Sequence, residues 1–133
     1  MKIVLDTNVL VSAIFWKGPP HRILTLWHED RFELLISPPI LDEHGRVVEE
    51  LHAKFPKVEV RSILDLITLN SCLVQPGSRP LPACDDPNDV MFLAAAVAGR
   101  ARYLVSGDRA LLRVGVYPGG RIVTPREFLD RIG

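Results

Sequence analysis

Four carboxylates stand where a buried run ends or a helix begins. Asp6 follows the apolar run Ile3, Val4, Leu5, and Asp108 follows the run from Tyr103 to Ser106. Glu43 falls early in the periodic stretch that opens at Ser37, and Asp89 in the first turn of the stretch that opens at Asp86. In right-handed βαβ units, strand C-termini and helix N-termini share one edge of a sheet, so these acids are expected to converge. Like charges a few Å apart repel and raise one another's pKa unless a cation offsets them. The cation that suits an all-oxygen set is Mg2+, with Mn2+ fitting the same ligands. His21, His28, His44 and His52 match no strand end, which argues against zinc. Carboxylate-held Mg2+ points to phosphodiester hydrolysis. The spacing alone leaves Asp85, Asp86 and Asp89 competing for the third acidic position.

The elements that must carry these groups are legible in outline. Ile3 to Leu5 reads as a strand buried on both faces, as in a parallel sheet. Val9 to Phe15 and His21 to Glu29 read as helices separated by Gly18, Pro19 and Pro20, and Phe32 to Ile36 as a second strand. Ser37 is an N-cap with Pro38 behind it, followed by Ile40, Leu41, His44, Val47, Val48 and Leu51 at helical spacing. That places Glu43 beside the inward stripe. A helix is predicted from Pro56, a third strand at Cys72 to Val74, and an irregular loop from Gln75 to Cys84. Asp86 and Pro87 begin a small-residue helix that Gly99 stops. Tyr103 to Ser106 forms a fourth strand and Arg121 to Val123 a fifth, before a helix with Thr124 and Glu127 as a capping box. Alternating strands and helices predict an α/β class with helices on both faces of a mostly parallel sheet.

LDTNVLVSA, SPPILDEHGRVV, DDPNDVMFLAAAVAG and YLVSGDRALL, in that order, span most of the chain. Together they resemble the PIN-domain ribonucleases, specifically the VapC-like toxins of type II toxin-antitoxin systems. The resemblance implies a three-layer α/β/α PIN-like fold with a central, mostly parallel five-stranded sheet. It implies an acidic set, catalytic and metal-binding, at Asp6, Glu43, Asp89 and Asp108. Asn8, Ser106 and Asp86 support them, and Asp89 is favoured for the third position because VMFLAAA follows it. RNA as substrate, a cognate antitoxin and a homodimer are further implications.

A chain of 133 residues with 47% apolar and 24% charged residues is expected to be one domain, 1–133, with a real core. No apolar run reaches the roughly 18 to 20 residues of a membrane span, and the start has no signal-peptide pattern, so a cytoplasmic location and no membrane partner are expected. The formal net charge is +0, so any nucleic-acid contact needs a local basic patch or a bound cation. Arg46, Arg109 and Arg113 lie near the expected rim. Cys72 and Cys84 read as structural thiols, and Trp16 and Trp27 as packing or dimer contacts.

Each acid also has a plainer reading: Asp86 as an N-cap, Asp89 as a first-turn acid, Asp6 and Asp108 as turn residues. None of these predicts a shared edge. Two other functions compete. A haloacid-dehalogenase-like phosphatase would use Asp6, but it wants a second Asp where Asn8 stands and a lysine near the fourth strand. A non-catalytic PIN-fold module binding RNA or protein would have no need to bear the repulsion.

Overall fold

The computed structural model describes residues 1–132. In chain order the elements are β1 (Lys2–Leu5), α1 (Thr7–Phe15), α2 (Pro19–His28), β2 (Glu33–Ile36), α3 (Pro38–Lys54), α4 (Val60–Asn70) and β3 (Cys72–Leu73). A single 3-10 turn, Pro87–Asp89, then leads into α5 (Val90–Ala98), β4 (Tyr103–Val105), α6 (Arg109–Val114), β5 (Val116–Tyr117), β6 (Gly120–Val123) and α7 (Pro125–Ile132). The sheet order is β3-β2-β1-β4-β6-β5. Five strands run parallel, as the alternating pattern predicts, and a sixth, β5, pairs antiparallel with β6. That hairpin and α6 went unread in the sequence because both are too short for a periodicity. The Pro118–Gly119 turn, with Gly119 at φ 93°, was the available signal.

The two faces of the sheet make two cores. Ile3, Leu5, Leu34, Tyr103 and Val105 pack on one side with Val9 and Leu10 of α1, Ile23 of α2, Ile67 of α4 and Phe128 of α7. Val4, Leu35, Leu104 and Ile122 pack on the other with Ile40 of α3, Phe92, Leu93 and Ala96 of α5, and Leu111 of α6. Successive residues of β1 thus serve opposite layers, the period-2 alternation of a strand buried on both sides. The result is the three-layer α/β/α arrangement.

Three local expectations shift. The helix expected from Pro56 starts at Val60, because α3 and α4 pack side by side and residues 55–59 make the reversal between them. Pro19 and Pro20, read as a break, instead open α2, where their missing N–H groups cost nothing. Gly99 does end α5, but at an ordinary φ of −90°; Arg100 takes the left-handed position at φ 55°. A Cβ on Gly99 would collide with the Leu35 side chain, so its smallness serves close helix–sheet packing. Among the described residues, no helix is long and apolar enough to cross a membrane.

The chain runs from β1 to β2 on one side and places β4 on the other. The strand order therefore reverses between β1 and β4, the kind of crevice at which open α/β sheets bind ligands.

Candidate active site

Asp6 closes β1 and caps α1 with the same carboxylate. Its Oδ1 accepts the Val9 N–H at 2.8 Å, its Oδ2 accepts the Ser106 hydroxyl, and the residue is 3% exposed. Ser106, at the end of β4, is fully buried and in turn accepts the Asp108 N–H at 2.9 Å. Asp108 repeats the construction on the neighbouring strand, its Oδ1 accepting the Ala110 N–H at 2.7 Å as the cap of α6. The turn-and-cap reading of these two acids is thus true and does not compete with a site. Capping holds Oδ1 of each carboxylate, and Ser106 holds the second oxygen of Asp6 as well.

The three aspartates that compete for the third position differ in their surroundings. Asp85 is exposed and pairs with Arg113 at 3.2 Å, away from the edge. Asp86 caps the 3-10 turn, accepting the Asn88 N–H at 2.9 Å. Asp89 is buried, makes no capping bond, and its Oδ2 has no hydrogen-bond partner. Ligand oxygens of Asp86, Asp89 and Asp108 lie within 4.8 Å of one another.

Glu43 reaches the same place from α3. Its Oε2 accepts the Thr7 hydroxyl at 2.6 Å, and Arg46 lies 3.6 Å from its Oε1. Asp6, Thr7, Asn8, Glu43, Arg46, Asp86, Asn88, Asp89 and Asp108 all line one cleft of about 220 Å³. The structure therefore brings together the four expected acids and the three supporting residues, with Ser106 lying beneath the lining. Arg109 and Arg113 line no part of it.

Five carboxylates against one guanidinium make this cleft strongly acidic. Burial pushes the Asp6 carboxyl up from its ordinary value, the Ser106 and Val9 bonds pull it back, and Asp108 and Glu43 raise it further. Asp89 is carried to about 7, by burial first and then by Asp108, Asp86 and Asp6. A buried carboxylate oxygen with no donor, facing other carboxylates, is what a bound cation would satisfy. The donors are all oxygen, and His44 is turned inward onto Thr7, so the set fits Mg2+ or Mn2+ better than zinc.

A family model described as PIN domain matches residues 2–110. The chain belongs to the PIN domain family. PIN domains are in general metal-dependent nucleases. The chain is 31% identical over 144 residues to the uncharacterised protein MJ1680 of Methanocaldococcus jannaschii, covering 98% of this chain and 90% of that one. Its PIN fold superposes on a chain of VapBC2 from Rickettsia felis, solved bound to a DNA fragment from their promoter, with a TM-score of 0.62 at 20% identity, covering 93% and 98% of the two chains. It also matches PAE2754 from Pyrobaculum aerophilum with a TM-score of 0.54 at 17% identity, covering 99% and 89%. At these identities the two structures speak to the fold.

Two residues of this PIN cleft were missed in the sequence, Thr7 and Asn88. Each adjoins a residue that was read, Asp6 or Asp89, and a hydroxyl directly after a strand-ending acid was the available signal for Thr7. Trp27 is buried against the α1–α2 core, whereas Trp16 is 65% exposed. Cys84 packs at the edge of the second core, but Cys72 is exposed on the outermost strand and so carries no packing role.

Proposed function

We propose that this PIN domain is a metal-dependent endoribonuclease that hydrolyses RNA phosphodiester bonds, and that it is the VapC-like toxin of a toxin-antitoxin pair. The observation that carries this reading is the convergence of Asp6, Glu43, Asp89 and Asp108 on one cleft, with a buried Asp89 oxygen left unpartnered. These four acids would hold a Mg2+ or Mn2+ ion; two of them, Asp89 and Asp108, form with Asp86 a set whose ligand oxygens lie within 4.8 Å of one another. Bound there, the ion supplies the counter-charge and Lewis acidity that phosphodiester hydrolysis requires.

The chain's own residues have separable tasks. Ser106 and the α1 cap hold Asp6 in one orientation, and the α6 cap does the same for Asp108. Burial and the neighbouring acids carry the Asp89 carboxyl to about 7, so its charged form is disfavoured around neutrality unless a cation offsets the cleft. Asn8 and Asn88, both exposed on the lining, are placed to donate to phosphate or sugar oxygens. Arg46 is the one basic lining residue among those described, so the cleft has no means of accepting a polyanion without a cation.

The reading extends to a cytoplasmic protein of one domain, 1–133, acting as a homodimer and inhibited by a cognate antitoxin. The likeness to VapBC2 supports an antitoxin partner. A phosphatase using Asp6 as nucleophile fits poorly, since Asn8 stands where a second Asp is wanted and Arg109 and Arg113 are the only basic residues soon after the fourth strand. A non-catalytic module leaves the acidic tension unexplained. Purified protein incubated with generic single-stranded RNA is expected to cleave it with Mg2+ or Mn2+, and to stop with EDTA or Asp6→Asn. Binding without cleavage by the metal-loaded wild type would refute the nuclease reading.

A further inference from the structure

Glu43 and His44 are consecutive on α3, yet they meet at one hydroxyl. Thr7 Oγ1 lies 2.6 Å from Glu43 Oε2 and 3.1 Å from His44 Nδ1. Thr7 has a single O–H, and an ionised Glu43 accepts but does not donate, so that proton goes to Glu43. His44 must then be the donor to Thr7, with its proton on Nδ1. The direction of both bonds follows from counting hydrogens. A length of 2.6 Å is within the range of charge-assisted O–H···O− bonds.

Thr7 is 6% exposed and His44 4% exposed, and the imidazole shares a small cavity with Leu5, Leu10, Ile36, Ile67 and Ser71. Burial keeps that ring neutral, with its pKa lowered to about 4. A polar ring in such surroundings needs a reason, and among the described residues its one hydrogen-bond partner is Thr7. Glu43 supplies the reason. Asp6 and Asp108 are held by main-chain N–H groups at helix caps, and Asp89 by burial. Glu43 has the longest side chain of the set and comes from within a helix, so no cap can hold it. On its outer side Arg46 is itself exposed and shared with Glu50.

We propose that His44, acting through Thr7, is a positioning residue that fixes the Glu43 carboxylate at the cleft, doing for this acid what the helix caps do for Asp6 and Asp108. The proposal rests on the reading of Glu43 as an acid that holds the divalent ion. The clamp holds Oε2 from behind and leaves Oε1 to the cleft, which it shares with the exposed Arg46 3.6 Å away. Outer partners that orient a metal ligand in this way typically change metal affinity by about 10- to 100-fold when removed.

The test measures Mn2+ binding to the full chain by electron paramagnetic resonance, beside cleavage of single-stranded RNA. Thr7→Val and His44→Leu are expected to weaken Mn2+ binding by about 10- to 100-fold, with Thr7→Ser restoring it to within about threefold of wild type. His44→Asn, which keeps a donor near the Nδ1 position, is expected to recover part of the loss. Thr7→Val is nearly isosteric, so it remains informative if His44→Leu fails to fold. Nitrogen-15 spectra of the wild type are expected to show the Nδ1–H tautomer of His44, a readout that needs no variant. An Nε2–H ring, or a folded Thr7→Val protein with unchanged Mn2+ affinity, overturns the proposal. If the wild type binds no Mn2+, or Glu43→Gln binds it as tightly as wild type, the reading of Glu43 beneath it fails and takes the proposal with it. Wild-type binding with unaffected Thr7 and His44 variants removes the clamp alone.

Discussion

Replacing Asp89 by asparagine is expected to make the metal-free protein more stable while abolishing its stabilisation by divalent ions. The residue is buried, one of its oxygens has no partner, and Asp108 and Asp86 stand beside it. Its carboxyl is carried from 3.8 to about 7 in the folded protein. A raised folded pKa means that the acid costs nothing below about pH 4, where it is protonated folded or unfolded. The penalty grows as pH rises from there and is complete above about 7. At 1.36 kcal/mol per pH unit the ceiling at pH 8 is about 4 kcal/mol. The cleft is open to solvent, so screening reduces this, and a gain of about 2 kcal/mol is expected for Asp89→Asn. The assay is urea unfolding in EDTA at pH 8 and again near pH 4, then at pH 8 with Mn2+ at about a hundred times its Kd. Wild type should gain about 2.7 kcal/mol from such an ion and the variant little. If Asp89→Asn is no more stable than wild type at pH 8 in EDTA, or if its advantage is as large at pH 4, the account of the cleft as an electrostatic strain relieved by a cation is wrong.

Other outcomes follow from separate parts of the molecule. His44 is buried neutral with its pKa lowered to about 4, so acid costs stability as pH falls from 6.5 to about 4 while the unfolded chain takes up the proton. That loss reaches about 3 kcal/mol, and a folded His44→Leu variant should show a correspondingly flatter stability profile between pH 7 and 4. Phe128 is fully buried and meets Phe32 and Tyr103 edge-on at 5.3 and 5.6 Å, so Phe128→Ala should cost about 3 to 5 kcal/mol in urea unfolding. Gly99→Ala should cost about 1 to 3 kcal/mol because the added methyl meets Leu35, and Leu35→Val should make it less costly in the double variant. Thr124→Ala, which breaks the reciprocal bonds with Glu127 at the start of α7, should lower stability by about 1 kcal/mol.

Local chemistry was readable wherever one residue type has one job. Ser37 and Pro38 begin α3, Thr124 and Glu127 cap α7, and Ile3, Val4 and Leu5 are buried to within 5% exposure. These follow from hydrogen-bond needs and from the burial of both sheet faces, which the types alone declare. Elements of two to six residues, β5 and α6, were not readable, since so few side chains set no period and packing against β6 selects them.

The candidate site divides along the same line. Chain order and residue type were enough to nominate Asp6, Glu43, Asp89 and Asp108, because an acid ending a buried strand or opening a helix must lie at the rim. For the third acid they left Asp85 and Asp86 in competition, and Asp89 was favoured because the apolar stretch VMFLAAA follows it. Their different surroundings came only with the turn at Pro87–Asp89, which sends Asp85 to Arg113 and buries Asp89 beside Asp108 and Asp86. Nor could the sequence join His44 to Thr7 across 37 positions, or Ser106 to Asp6 across 100. A hydrogen bond needs two atoms within about 3 Å, and distance between segments far apart in the chain is a property that only their packing creates.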